Sequence, residues 1–207
     1  MYKIILFDLG NVLAKPIDDY KLYSKLNCRV SYEDFLEYWW YDELVIKAHK
    51  GLVSDEDHIR GLLSFCNSDL TVQEFLSIYR NLDNSLYSDM VEYIGNLKRK
   101  GYSVGILSNL RLMDFSRYRE SINQIKFDYL FFSYEMRAIK PSKEIYLQVI
   151  NTLKCEPNDI IFFDDSLENV NAARNMEINA YQINRAGIRE TTILSKILDQ
   201  YIKECSE

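Results

Sequence analysis

The residues best suited to chemistry stand where apolar runs stop. Ile4-Ile5-Leu6-Phe7 ends at Asp8, with Gly10 two residues on. Val104-Gly105-Ile106-Leu107 ends at Ser108-Asn109, and Ile160-Ile161-Phe162-Phe163 ends at Asp164-Asp165. Between these two runs, Lys140-Pro141-Ser142 opens a helical pattern. Together the set offers a nucleophilic carboxylate, a hydroxyl, an ammonium and an acidic pair, enough to hold a divalent cation and a phosphate in one crevice. Singly the residues say little, since Asp8 or Ser108 alone is an ordinary turn residue and Lys140 alone an ordinary solvated lysine. Asp164-Asp165 would be an expensive pair, because adjacent carboxylates at the end of a buried strand repel unless a cation is present.

Positioning such a set requires a sheet. Short unbroken runs rich in β-branched and aromatic residues suit strands buried on both faces of a parallel sheet, and such sheets bind ligands beyond the carboxyl ends of their strands. Further strands are expected at 129–132 and 180–183. Helices are expected at about 88–100, at 113–118, at 142–153, at 167–175 and from Thr191 or Thr192 towards Tyr201. Their alternation implies a parallel sheet with helices on both faces.

Residues 17–84 read differently, as helices without a convincing strand. Asp18 or Asp19 starts one, and Ser31 starts another, expected to run past Ile46 and stop at Gly51. Ser54 starts a third, and Thr71-Val72-Gln73-Glu74 forms a capping box for a fourth. Trp39-Trp40-Tyr41 cannot all face inward on one helix, which puts at least one of them at a cleft. His49 and His58 lack His or Cys partners at ligand spacing and read as surface or insertion residues. The expected organisation is a core of residues 1–16 and 85–207, with residues 17–84 as an inserted helical cap.

Composition narrows the function. A net charge of −6 disfavours a nucleic-acid partner, which would want a basic face. No apolar run approaches the ~20 residues that cross a membrane, and Met1-Tyr2-Lys3 leading straight into a strand sets the expectation of a chain without a signal peptide. Cys28, Cys66, Cys155 and Cys205 show no paired spacing and read as reduced thiols of a cytoplasmic protein.

The ordered set resembles the haloacid dehalogenase superfamily, whose motifs are an Asp strand end, a Ser or Thr strand end, a Lys and an acidic pair. The resemblance runs from Asp8 to Asn169, and Asp8-Leu9-Gly10-Asn11-Val12 is similar to a subgroup containing sugar-1-phosphate phosphatases. It implies an α/β fold, a three-layer Rossmann-like core with a central parallel sheet plus a small inserted helical cap. It also implies a Mg²⁺-dependent phosphatase of small phosphorylated metabolites, working through a phospho-Asp8 intermediate. By resemblance Asp8 is nucleophile and metal ligand, and Gly10 lends its carbonyl to the metal. Asp165 is then a direct ligand, and Asp164 a second ligand or one acting through water. Ser108 and the backbone at Asn109 would donate to the phosphoryl group, and Lys140 would stabilise charge. Asn169 would either orient the acidic pair or simply lie exposed.

One departure matters. Most phosphatases of the family carry a second Asp two residues after the nucleophile as general acid and base, where this chain has Gly10. Such catalysis is typically worth ~10²–10⁴-fold. Acidic leaving groups, as in sugar-1-phosphates, are therefore expected to react best. A catalytically weak phosphate-binding module is the alternative reading. A metal-independent 2-haloacid dehalogenase is a third, though it has no use for Asp164-Asp165.

Overall fold

A computed structural model describes residues 4–83, 85–183, 185 and 191–204. Residues Met1 to Lys3, Asn84 at the end of the expected insertion and Cys205 lie outside the described residues. Five parallel strands form the centre: β1 (Ile4–Phe7), β2 (Ser103–Ser108), β3 (Tyr129–Phe132), β4 (Ile160–Asp164) and β5 (Asn179–Gln182), in the order β3-β2-β1-β4-β5. The register pairs Phe7 with Ile106 and with Phe163, so Asp8 and Asp164 emerge level, with Ser108 one residue farther along its strand. The Asp8 amide donates to the Phe163 carbonyl (2.8 Å), which ties the first acid to the strand end that carries the pair.

The unbroken apolar runs are explained by burial on both faces. Ile5, Phe7, Val104, Ile106, Ile161 and Phe163 pack on one side with α6 (Ser88–Arg99) and α7 (Leu112–Ile125). Ile4, Leu6, Leu107, Ile160 and Phe162 pack on the other with α9 (Lys143–Leu153) and α10 (Leu167–Arg174). Gly105 permits the tight spacing of β1, β2 and β3, since a Cβ there would lie 2.8 Å from both Leu6 Cδ2 and the Tyr129 carbonyl oxygen. A short α8 (Ser133–Met136) follows β3, and α11 (Thr191–Glu204) closes the described chain.

Between β1 and α6 lie α1 (Asp19–Lys25), α2 (Tyr32–Tyr41), α3 (Glu43–His49), α4 (Asp55–Phe65) and α5 (Val72–Arg80). They surround their own cluster, including Leu22, Phe35, Trp39, Leu62, Phe75 and Tyr79, which also takes in Met113 of α7. Side chains of Asp18, Ser31, Asp42, Ser54 and Thr71 accept from first-turn amides, so each helix has a dedicated start. The single helix expected from Ser31 to Gly51 is two. Asp42 has an extended backbone (ψ 146) and accepts from the Leu44 amide, ending α2 and starting α3. Gly51 then adopts φ +62 and lies so close to α8 that a Cβ would sit 2.2 Å from the Tyr134 carbonyl oxygen.

Other differences are local. The helix expected at 113–118 extends to Ile125, and the helix expected at about 88–100 is α6, preceded by Tyr87 as its cap. No helix among the described residues is long and apolar enough to cross a membrane. Cys28, Cys66 and Cys155 are free thiols.

Candidate active site

Lys140 lies at the centre. Its Nζ donates to Asp8 Oδ1 (2.8 Å), Asp164 Oδ2 (2.6 Å) and the Leu107 carbonyl (3.0 Å), which uses all the donors of an ammonium. Its position is set by Asn109, whose amide side chain accepts from the Lys140 backbone N–H (2.8 Å) and donates to its carbonyl (2.9 Å). The Asn109 side chain is thus a bracket, leaving only its backbone for the phosphoryl contact expected from the sequence. Ser108 is buried and lines the same cavity.

The acidic pair divides in two. Asp164 is fully buried and accepts from Lys140, from the Ser166 amide (2.8 Å) and from Asn169 Nδ2 (3.0 and 3.2 Å). Of the acidic pair, Asn169 thus contacts Asp164. Asp165 is partly exposed and accepts from Asn11 Nδ2 (2.8 Å), with Asn11 at φ 56 in the turn after β1. Asp8, Asp164 and Asp165 each present a carboxylate oxygen, all within 4.8 Å of one another. Gly10 stands beside them, its carbonyl accepting from the Val12 amide (2.7 Å) and the place of a Cβ lying 3.9 Å from Asp8 Oδ2.

Three carboxylates against one ammonium leave the cluster over-acidic. Burial pushes the Asp8 carboxyl up to about 6, against the pull of Lys140 and with help from Asp164 and Asp165. Burial also raises Asp165, with Asn11 opposing and Asp164 reinforcing. Burial works to lower Lys140, but the charges of Asp164 and Asp8 outweigh it and hold the ammonium well above its ordinary value. An all-oxygen donor set with uncompensated negative charge suits a hard divalent cation such as Mg²⁺.

Asp8, Gly10, Ser108, Lys140 and Asp165 line a cavity of about 360 Å³, which also touches α1, α2, α3 and α5 through Asp19, Trp40, His49 and Tyr79. Of the three adjacent aromatics, Trp39 is buried in its cluster, Tyr41 is exposed and Trp40 faces the cavity. Here stands a second buried cluster that sequence reasoning passed over. Arg111 donates through Nε (2.9 Å) and Nη2 (3.1 Å) to the two oxygens of Asp114, and through Nη2 (3.2 Å) to Tyr79 Oη, while Tyr79 in turn donates to Asp114. Its guanidinium also lies over the Trp39 ring at 4.2 Å. Burial alone would raise Asp114, but the Arg111 charge and hydrogen bonds hold its carboxyl well below the usual carboxylate range. Burial and the nearby Arg111 push His49 down to about 4 and His58 to about 3, which keeps both imidazoles neutral. His58 is fully buried, so its reading as a surface residue gives way to its reading as an insertion residue. The available sign of the Arg111 cluster was the place of Arg111, three residues beyond Ser108.

The sequence matches the family described as haloacid dehalogenase-like hydrolases across residues 2–177. Bifunctional epoxide hydrolase 2 of Rattus norvegicus is 35% identical over 98 residues, 44% of this chain, which spans 18% of that protein. D-ribitol-5-phosphate phosphatase of Bacteroides thetaiotaomicron is 24% identical over 191 residues, 88% of this chain and 92% of that one. Among solved structures, a HAD family enzyme from Bacteroides thetaiotaomicron in complex with magnesium and inorganic phosphate superposes with a TM-score of 0.76 at 21% identity, covering 88% of this chain and 94% of that one.

Proposed function

The chain belongs to the haloacid dehalogenase-like hydrolases, and we propose that it is a Mg²⁺-dependent phosphatase of small phosphorylated metabolites. The observation that carries this reading is Lys140 held between Asp8 and Asp164, with the oxygens of Asp8, Asp164 and Asp165 within 4.8 Å of one another. Asp8, Asp165 and the Gly10 carbonyl would hold Mg²⁺, with Asp164 behind them as the partner of Lys140. Bound there, the ion supplies charge neutralisation between an anionic phosphate and a carboxylate nucleophile.

Lys140 engages Asp8 through Oδ1, which leaves Oδ2, on the Gly10 side, as the attacking atom. The Oδ2–P bond forms as the P–O bond to the leaving group breaks, giving phospho-Asp8. Water then attacks that phosphorus, releases phosphate and restores the carboxylate. Ser108 and the Asn109 backbone donate to the phosphoryl oxygens, and Lys140 offsets the charge that develops. No carboxylate at position 10 protonates the departing oxygen, so leaving groups that bear negative charge well are favoured, among them the anomeric oxygen of a sugar-1-phosphate. Residues 17–84 act as a cap that excludes water and contacts the substrate beyond the phosphate. A cytoplasmic setting suits the free thiols and the metabolite substrate.

Phosphate release is the test, measured with chelator, with Mg²⁺ restored, and in Asp8→Asn. Activity that survives both chelation and the substitution overturns the reading. Gly10 also supports a second reading, a phosphate-binding module, which gains if the wild-type chain binds inorganic phosphate with Mg²⁺ yet turns over no monoester.

A further inference from the structure

The cavity that holds Asp8 is also lined by Arg111 and Asp19, and each buries one polar atom without a hydrogen-bond partner, Arg111 Nη1 and Asp19 Oδ1. Arg111 is only 3% exposed, and its other two nitrogens are engaged by Asp114 and Tyr79. Burying a donor and an acceptor unsatisfied is unfavourable unless something else completes them. Two of the cations that line the cavity, Arg111 and Lys15, are already matched. Asp114 takes up the charge of Arg111, and Asp83 that of Lys15 at 3.0 Å, so neither cation is left to draw a second anionic group. Trp40, which lines the same cavity, adds an apolar face for a carbon skeleton.

Resting on the phosphatase reading, we infer that Arg111 and Asp19 read the leaving group. Nη1 donates to one of its hydroxyl oxygens and Oδ1 accepts from another hydroxyl, which selects a neutral, polyhydroxylated sugar or polyol over an aryl or isoprenoid group. A site built to bond hydroxyls discriminates strongly against an analogue lacking them, because its own buried groups are then left unpaired.

The experiment compares kcat/KM for a hexose 1-phosphate with kcat/KM for para-nitrophenyl phosphate in wild type, Arg111→Lys and Asp19→Asn. Arg111→Lys keeps a cation beside Asp114 but removes the planar fork and its spare nitrogen. Asp19→Asn stands at the start of α1 and tests the acceptor even if the first variant fails to fold. The ratio of sugar to aryl substrate should fall about tenfold in each folded variant. An unchanged ratio in either folded variant, on a wild-type enzyme that hydrolyses both substrates, overturns the inference and leaves the phosphatase reading standing. A wild-type enzyme that hydrolyses neither substrate overturns both.

Discussion

Lys140 and Arg111 are both buried cations set against carboxylates, yet their surroundings are composed in opposite ways. Lys140 has every donor engaged but faces three acids within one small volume. Arg111 faces a single acid in a fork and has a nitrogen to spare. The first cluster has an excess of negative charge, and the Asp8 carboxyl is pushed up to about 6. The second is balanced, and Asp114 stays ionised well below the usual carboxylate range. Charge excess prepares a place for a cation, whereas donor excess prepares a place for a hydroxyl. Counting charges and counting hydrogen bonds therefore identify two different functions within one cavity.

Breaking the two clusters should have unlike consequences. Asp8→Asn should reduce phosphate release by at least about a thousandfold, since the nucleophile is lost. The metal-free melting temperature should hold or rise, because one of three crowded charges has gone. Asp114→Asn should do the reverse to the fold. It strands the Arg111 charge and should cost about 3–5 kcal/mol in denaturant unfolding, with no rescue by Mg²⁺.

The pH dependence sharpens the same contrast. The Asp8 carboxyl, raised to about 6, binds a proton in the folded state that the unfolded chain does not hold until lower pH. Metal-free stability from this group therefore increases as pH falls through about 6 towards the ordinary carboxylate value. Mg²⁺ must displace that proton, so its affinity should drop by roughly tenfold from pH 7 to pH 5, readable by calorimetry. Asp114 is depressed instead, so its contribution is complete above the ordinary carboxylate range and lost only far into acid. Over pH 5–7 it should be flat.

The smallest effect concerns Gly10. The nearest atom to a Cβ there is Asp8 Oδ2 at 3.9 Å, so the turn has space for a side chain. Gly10→Asp should narrow the rate difference between good and poor leaving groups by about threefold in single-turnover assays, a small part of what a positioned acid can supply. A leaving-group series already flat in the wild type would mean that another residue supplies the proton.

The strand-end cluster was legible because its members are marked locally. Asp8, Ser108 and Asp164 each stand where an apolar run stops, and although one such residue is an ordinary turn former, three strand ends of this kind with a lysine between them form a pattern. The Arg111 cluster carried no such mark. Arg111 precedes α7 and Asp114 lies in its first turn, three residues on, a spacing that in sequence looks like an ordinary solvated pair. What buries them is Tyr79 of α5, 32 residues from Arg111, together with Trp39 of α2, and neither adjacency is written in local pattern. The length of α7 was hidden for a related reason. Its buried face, with Met113, Tyr118 and Ile122, is interleaved with Arg117, Arg119 and Glu120, so the apolar period fades after the first turns. The break at Asp42 was masked because apolar residues continue on both sides without a Gly or Pro, and the bond that its side chain accepts from the Leu44 amide decided against continuity.

Gly51 sets how closely α3 and α8 approach. At φ +62 it brings its backbone against the Tyr134 carbonyl with no space even for a methyl group, so the joint between α3 and α8 is a bearing without slack. Any swing of α1–α5 away from the strand ends must either part these two backbones or turn about them. If they stay together, the joint is a fulcrum, and the displacement grows with distance from it. A substitution at Gly51, remote from the carboxylates, would wedge the bearing and reset the resting gape of the whole cavity.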